Sequence, residues 1–252
     1  MLARLAPTPS GYLHEGNLAN FHLTREVARE AGAALALRID DADASRYRRE
    51  YVDNIFVVLT EQGFDWTIGP RDTEDFESNW SQRNRTAEYF ARLVDLTHAG
   101  IPSYACTCSR TDMSGVPRGG CPGGCRDRGT PLAAGSSALR VQVPAGTDVT
   151  VGDREVRLDE ALGDFVVWRR DGLPAYQWVS LLEDERLGTT HIVRGEDLIA
   201  SSAAQAYLAR ALGIANVADA TYVHHPLVLD AQGRKLSKST RASSHDREGA
   251  RA

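Results

Sequence analysis

The stretch APTPSGYLHEGN, Ala6–Asn17, decides how the rest of the chain is read. Ahead of it, Leu2–Ala6 reads as a short buried strand, broken by Pro7 and Pro9, neither of which can donate to a sheet ladder. Gly11 ends the turn, and a helix is expected over Leu18–Ala31 with apolar positions Leu18, Phe21, Leu23 and Val27. Gly32 stops it, and Ala33–Ile39 follows as a compact apolar run of the kind buried in a parallel sheet. Gly16 lets a ligand approach the backbone closely. The N–H groups at the helix start could then hold phosphate oxygens, with His14 donating to the same group. A lone H-x-G is a weak signal, because histidines are common at helix starts, and both readings of His14 stay open here.

Working outward, Val52–Gln62 and Thr86–Ala99 look helical, each closed by a glycine. The β-α-β-α order is that of a doubly wound nucleotide-binding fold. From Ile101 the character changes: glycine, proline and cysteine crowd residues 115–135. Short strand-like runs follow at Ala138–Val143, Asp148–Val151 and Phe165–Arg169, and the region reads as an insertion with its own small β structure. Alternation resumes with a strand at Thr190–Val193 and a helix at Ala203–Ala211. The polar tail, Thr240–Ala252, is expected to be disordered.

The 252 residues can bury a full core as one large domain or two small ones. Hydrophobic content of 42% and charged content of 25% are ordinary globular values. A net charge of −5 argues against a bulk electrostatic binder of nucleic acid, although a local basic surface remains compatible with it. No apolar run of about eighteen residues exists to span a membrane. Met1–Pro9 has no continuous apolar stretch, so no signal peptide is expected and a cytoplasmic, reducing setting is the default.

All four cysteines fall in one window, Cys106 and Cys108 as C-x-C, then Cys121 and Cys125 as C-x3-C. Four thiolates so spaced can form a tetrahedral zinc site that staples an insertion too small for its own core. A pair of disulfides or unrelated buried thiols are the alternatives. The reducing setting disfavours the first and the clustering disfavours the second. Near the other end, KLSKS, Lys235–Ser239, would by itself pass for a solvated loop.

Together, PTPSGYLHEGN and KLSKS resemble the two signature motifs of class I aminoacyl-tRNA synthetases. RLAPTPSGYLH, LRIDDAD, GFDWTIGP, RRDGLPAYQW, IVRGEDL and GRKLSKS match, in order, the pattern of the glutamyl-tRNA synthetase subfamily, from about Arg4 to Ser239. The chain is most similar to its short glutamyl-Q tRNA(Asp) synthetase branch, which has no anticodon-binding region and glutamylates the queuosine of tRNA(Asp).

The resemblance implies an α/β fold: a Rossmann-type catalytic domain with a zinc-binding, β-containing insertion. Its halves would be residues 1–98 and 172–239, with the insertion at 99–171 and the tail at 240–252. It implies an ATP-dependent, AMP-forming ligase that makes an acyl-adenylate with magnesium and passes the acyl group to a tRNA acceptor. ATP would be held by His14, Gly16, Asn17, Glu196, Asp197, Lys235, Ser237 and Lys238, the lysines neutralising charge as pyrophosphate leaves. The lysine loop is expected to close over ATP and reopen.

The glutamate pocket would comprise Arg4, Ala6, Thr8, Asp40, Tyr176 and Arg194, since an arginine fork matches a carboxylate bidentately. Without the resemblance, Arg38-Ile39-Asp40-Asp41 reads as a surface salt-bridge cluster after a strand. In the family a tyrosine commonly takes the third metal position, where this chain has Cys121. Asp40 replaces the family's glutamate, Thr8 a serine, and Glu15 an apolar residue. Two other functions stay in play: a tRNA-independent ligase acylating a small molecule or carrier protein, and an inactive nucleotide-binding paralogue suggested by Glu15. Retention of His14, Lys235 and Lys238 opposes the second.

Overall fold

Parallel strands buried on both faces read as near-continuous apolar runs, and such runs build the first sheet. The structure, a computed structural model, describes residues 1–109, 111–112, 121 and 124–227. Its strands are β1 (Leu2–Leu5), β2 (Ala34–Leu37), β3 (Ser103–Cys106), β4 (Ala138–Val141), β5 (Asp148–Val151), β6 (Arg154–Arg157), β7 (Phe165–Trp168), β8 (His191–Gly195) and β9 (Thr221–His225). The helices are α1 (Glu15–Glu30), α2 (Arg49–Glu61), α3 (Thr73–Asp75), α4 (Thr86–Ala91), α5 (Val94–His98), α6 (Leu158–Ala161), α7 (Tyr176–Leu187), α8 (Ile199–Leu212) and α9 (Ala215–Ala218). Among the described residues no helix is long and apolar enough to cross a membrane.

Two units divide the chain: Met1–Arg83 with His191–Glu196 and Val223 onward, and Asn84–Thr190 with Asp197–Tyr222. The first holds the sheet of order β2-β1-β8-β9, in which β1 pairs in parallel with both β2 and β8. Helix α1 packs over β1, β2 and β8. It turns Phe21, Thr24 and Ala28 inward, and α2 does the same with Val52, Ile55 and Leu59. Both sets follow the i, i+3, i+7 spacing that keeps a helix face on one side. With Ala3, Leu5, Leu35 and Leu37 the apolar members of both sets form one core, each large side chain adding about 1.5–3 kcal/mol.

Helix α1 begins at Glu15, three residues before the expected Leu18, because His14 serves as its N-cap. The His14 N–H donates to Asn17 Oδ1 at 3.2 Å, satisfying a donor that the helix start would leave open. Gly16 and Asn17 therefore lie in the first helical turn and not in the loop before it. At the other end Gly32, with φ +61°, lets Ala33 N–H reach back to Ala28 O at 2.8 Å, closing the helix as the glycine predicts.

GFDWTIGP finds its structural role here. Thr67 N–H donates to Leu35 O and Leu37 N–H to Ile68 O, both at 2.9 Å, so the segment runs along the outer edge of β2. Gly69, with φ +125°, passes so close that an added Cβ would stand 2.3 Å from Leu37 O. Only glycine fits.

The second unit contains the antiparallel sheet β3-β4-β7, the hairpin β5-β6, and α7 packed on α8. The helix expected over Thr86–Ala99 is two pieces, α4 and α5. Leu93 N–H bonds back only three residues, to Phe90 O, and this tighter turn separates them. Helix α7 had no expected counterpart. Trp178, Val179, Ser180, Leu181, Leu182, Glu183 and Asp184 are all buried in it, so no amphipathic stripe marks it. Its acid Glu183 is accommodated by Arg85, which donates at 3.0 and 2.8 Å, and by the Tyr89 hydroxyl at 2.8 Å. Burial and the neighbouring carboxylate push Tyr89 far above its ordinary pKa.

Candidate active site and metal centre

In the first sheet the chain leaves β1 toward β2 on one side and β8 toward β9 on the other. Doubly wound sheets place their ligands at such a reversal, beyond the carboxyl ends of the strands, here β1 and β8. Register determines which side chains share a face there. Ala3 pairs with His191 and Arg4 with Ala36, so Arg4, Arg38 and Arg194 all belong to one face of the sheet. The opposite face carries Ala3, Leu5, Leu35 and Leu37, which share the apolar core with α1. All three guanidiniums are buried, Arg4 at 2%, Arg38 at 4% and Arg194 at 4% exposure. Three cations so sheltered are an unusual concentration of charge for a sheet interior.

The β1–β2 ladder continues past both strands, with Arg38 N–H donating to Leu5 O at 2.9 Å and Asp40 N–H to Pro7 O at 2.8 Å. Asp40 is thereby fixed beside the Pro7–Thr8 turn. Its carboxylate accepts from Arg38 Nε at 2.8 Å and Nη2 at 3.0 Å, and from Gln82 Nε2 at 2.8 Å. The salt-bridge cluster read from the sequence is therefore present, but it is not a surface one: the Arg38 and Asp40 side chains are 3% and 13% exposed.

Asp41 turns inward and accepts from Ser81 Oγ at 2.6 Å, Gln82 N–H at 2.7 Å and Arg83 Nε at 2.8 Å. The Arg83 guanidinium also lies 3.8 Å above the Tyr47 ring. Gln82 completes the lock by accepting from Ala42 N–H at 3.2 Å. Ser81, Gln82 and Arg83 were not picked out in the sequence. They are contiguous polar residues some forty positions from their partners, with no periodicity to mark them.

Around the first turn of α1, Leu13 N–H donates to Asn54 Oδ1 at 3.1 Å and fixes the loop that delivers His14. Glu15 is exposed at the first helical position, where a carboxylate complements the helix dipole. The charge that looked anomalous beside His14 thus has a local helical reason. Ala6 is half-buried, Thr8 exposed, and Glu196 exposed just beyond β8. Tyr176 and Asp197 belong to the second unit, Tyr176 opening α7 and Asp197 following Glu196 in a short turn of helix. Lys235, Ser237 and Lys238 lie outside the described residues.

The second unit brings all four cysteines together. Cys106 closes β3, Cys108 follows it, and Cys125 opens a turn of 3-10 helix. None forms a disulfide. Sulfur separations are 3.8 Å (Cys106–Cys121), 3.5 Å (Cys108–Cys121) and 3.7 Å (Cys108–Cys125). The full set lies within 4.8 Å. Tetrahedral zinc with bonds of about 2.3 Å requires sulfurs about 3.8 Å apart, and the cluster fits that requirement. Burial raises the Cys106 thiol. Burial acts the same way on Cys125, but the Thr107 N–H and the neighbouring sulfurs outweigh it and bring that thiol down to about 6.

A parallel sheet with buried guanidiniums at its switch point defines a nucleotide-type α/β protein, and the second unit carries a cluster of four thiols able to hold a metal ion. The sequence profile described as "tRNA synthetases class I (E and Q), catalytic domain" matches residues 1–117 and 130–250. The chain belongs to that family. It is 37% identical over 245 residues to a glutamyl-Q tRNA(Asp) synthetase of Pseudomonas aeruginosa, covering 96% of this chain and 78% of that one. A Burkholderia cenocepacia protein of the same name is 37% identical over 262 residues, covering 97% and 82%. The crystal structure of glutamate-tRNA synthetase from Elizabethkingia anophelis superposes with a TM-score of 0.74 at 21% identity. That match covers 97% of this chain and 54% of the other, so the chain spans about half of that enzyme.

Proposed function

We propose that this chain is an ATP-dependent ligase that activates glutamate as glutamyl-adenylate and transfers it to tRNA, the acceptor being the queuosine of tRNA(Asp). The observation that carries this reading is the pair of buried guanidiniums, Arg4 and Arg194, on one face of the sheet at its switch point. The similarity to proteins of that name over nearly the whole chain agrees with it.

In this reading Arg4 and Arg194 hold the side-chain carboxylate of glutamate, and Asp40, braced by Arg38 and Gln82, faces its ammonium group. Ala6, Thr8 and Tyr176 complete the pocket. The α-carboxylate attacks the α-phosphate of ATP and pyrophosphate departs. His14, Gly16 and Asn17 hold phosphate oxygens at the start of α1. Asn17 does so through its amide nitrogen, because its oxygen is engaged by His14 N–H. Glu196, Asp197 and Ser237 complete the nucleotide site, and Lys235 and Lys238 neutralise the departing charge. No protein nucleophile takes part. Catalysis is positioning and charge stabilisation, with magnesium accompanying ATP.

Residues 1–98 and 172–239 are assigned to the catalytic domain and 99–171 to the acceptor-facing insertion. Cys106, Cys108, Cys121 and Cys125 hold one zinc, which supplies rigidity to the insertion and no chemistry. Amino-acid-dependent ATP–pyrophosphate exchange, with and without tRNA, tests the reading. Glutamate should support exchange, and labelled glutamate should become attached to queuosine-containing tRNA(Asp) but not to the same tRNA lacking queuosine. Exchange with a neutral or basic amino acid and not with glutamate would overturn it.

A further inference from the structure

Asp164 stands immediately before β7, and its side chain is 1% exposed. Its Oδ2 accepts from the Tyr104 hydroxyl at 2.6 Å and from Arg126 Nε at 2.7 Å. Its Oδ1 accepts from Arg126 Nη2 at 2.7 Å and from Val143 N–H at 2.9 Å. Arg140 Nη1 donates to its backbone carbonyl at 2.8 Å. A buried carboxylate with this many donors is rigidly held.

Two of those donors, Tyr104 and Arg126, come from segments that carry cysteines. Tyr104 lies two residues before Cys106 on the same face of β3, and the two share a small core with Cys125. Arg126 directly follows Cys125 in its helical turn. On the other side, Arg170 Nη2 donates to the carbonyls of Thr107 at 2.7 Å and Cys108 at 2.8 Å. Three of the four thiol positions are thus tied to the β4–β7 sheet by groups that are not ligands.

We propose that Asp164 is a positioning residue for the metal centre, presetting the thiolates by clamping the β3 end and the Cys125 turn to one sheet. The inference rests on the zinc reading above. Bringing four thiolates together is opposed by their mutual repulsion and by the entropy of closing the chain between Cys108 and Cys121. A preset frame removes part of both costs before the ion arrives. The Arg140 guanidinium, which interacts with Cys106, also offsets part of the negative charge that remains when four thiolates bind one divalent cation. Groups beyond the ligands change metal affinity by about 10–100-fold in sites of this kind.

Zinc affinity is measured by competition with a chromophoric chelator, using Zn2+ alone as the probe, for wild type, Asp164→Asn, Arg126→Ala and Tyr104→Phe. Asp164→Asn should weaken zinc by about 10–100-fold, and Arg126→Ala by about tenfold. Thermal melts of zinc-loaded and zinc-free protein separate positioning from a simple staple. A positioning residue shrinks the rise in Tm that zinc confers, because that rise follows affinity. Equal losses of Tm with and without zinc, at unchanged zinc affinity, would overturn the proposal. Should Asp164→Asn fail to fold, Arg126→Ala decides, since that side chain is 39% exposed and its loss spares the core. Wild-type protein that takes up no zinc overturns the zinc reading itself, and this proposal with it.

Discussion

Replacing Gln82 by alanine tests whether the loop after β2 is a site or a staple. The side chain is 1% exposed and makes two hydrogen bonds, one to Asp40 and one from Ala42 N–H. A bond to a carboxylate contributes about 1.5–3 kcal/mol, and the lower end applies because Arg38 still holds Asp40. The 3.2 Å bond from Ala42 contributes about 1 kcal/mol. Losing the buried stem adds about 1 kcal/mol. The expected destabilisation is about 3–4 kcal/mol, which lowers a urea midpoint by about 1–2 M. Trp66 and Trp80 pack in the same core, so their fluorescence follows the transition.

The functional consequence should be selective. With Asp40 less firmly placed, KM for glutamate in the exchange assay should rise about tenfold at a temperature where the variant is folded. KM for ATP should stay within about twofold of wild type, because Gln82 touches no residue assigned to the phosphates. If stability falls as calculated while KM for glutamate is unchanged, Asp40 is not the partner of the ammonium group. If ATP rather than glutamate suffers, the pocket assignment is wrong.

Glu183→Gln should cost about 3–5 kcal/mol at neutral pH, because it leaves Arg85 buried opposite a neutral amide. Burial raises the Glu183 pKa, but Arg186 and Arg85 outweigh it and hold it below the ordinary value. The pair's contribution is therefore complete above about pH 4.3, the unfolded value, and lost as pH falls through the lower folded one. Denaturation from pH 7 to pH 3 should show the gap between wild type and variant constant at first and closing only in acid. Gly69→Ala should lose about 3 kcal/mol, since the new Cβ meets Leu37 O and the backbone is in a region side chains avoid; an unchanged melting temperature would contradict this. Lys238→Ala should slow adenylation by roughly 10²–10³ with a much smaller change in KM for ATP. Single-turnover measurement of adenylate formation checks it, and a raised KM at constant kcat would make the loop a binding element alone.

Local chemistry made much of the fold legible. The apolar runs of β1 and β2 and the stop at Gly32 are specified within a few neighbours, and so is the periodicity of α1, although of its expected apolar positions only Phe21 is fully buried, with Thr24 and Ala28 turned inward in place of Leu23 and Val27. Such periodicity follows from backbone geometry alone and survives in a linear reading. The clustering of Cys106, Cys108, Cys121 and Cys125 was legible for the same reason, because metal ligands come in short spacings.

What remained hidden depends on contacts distant in sequence. Asp40 and Asp41 look alike in the chain, yet one accepts from Arg38 and Gln82 and the other faces the interior toward Ser81 and Arg83. Helix α7 escaped because tertiary burial of its acids erases the stripe by which a surface helix is known. Asp164 reads as an ordinary residue before a strand, and only folding brings Tyr104 and Arg126 to it across 60 and 38 positions. Sequence by itself determined the first two strands, the helix between them and the grouping of the thiols, because those rest on local preferences. Tertiary structure alone decided which buried charges meet, because the cost of desolvating a charge is offset only by partners that the fold delivers.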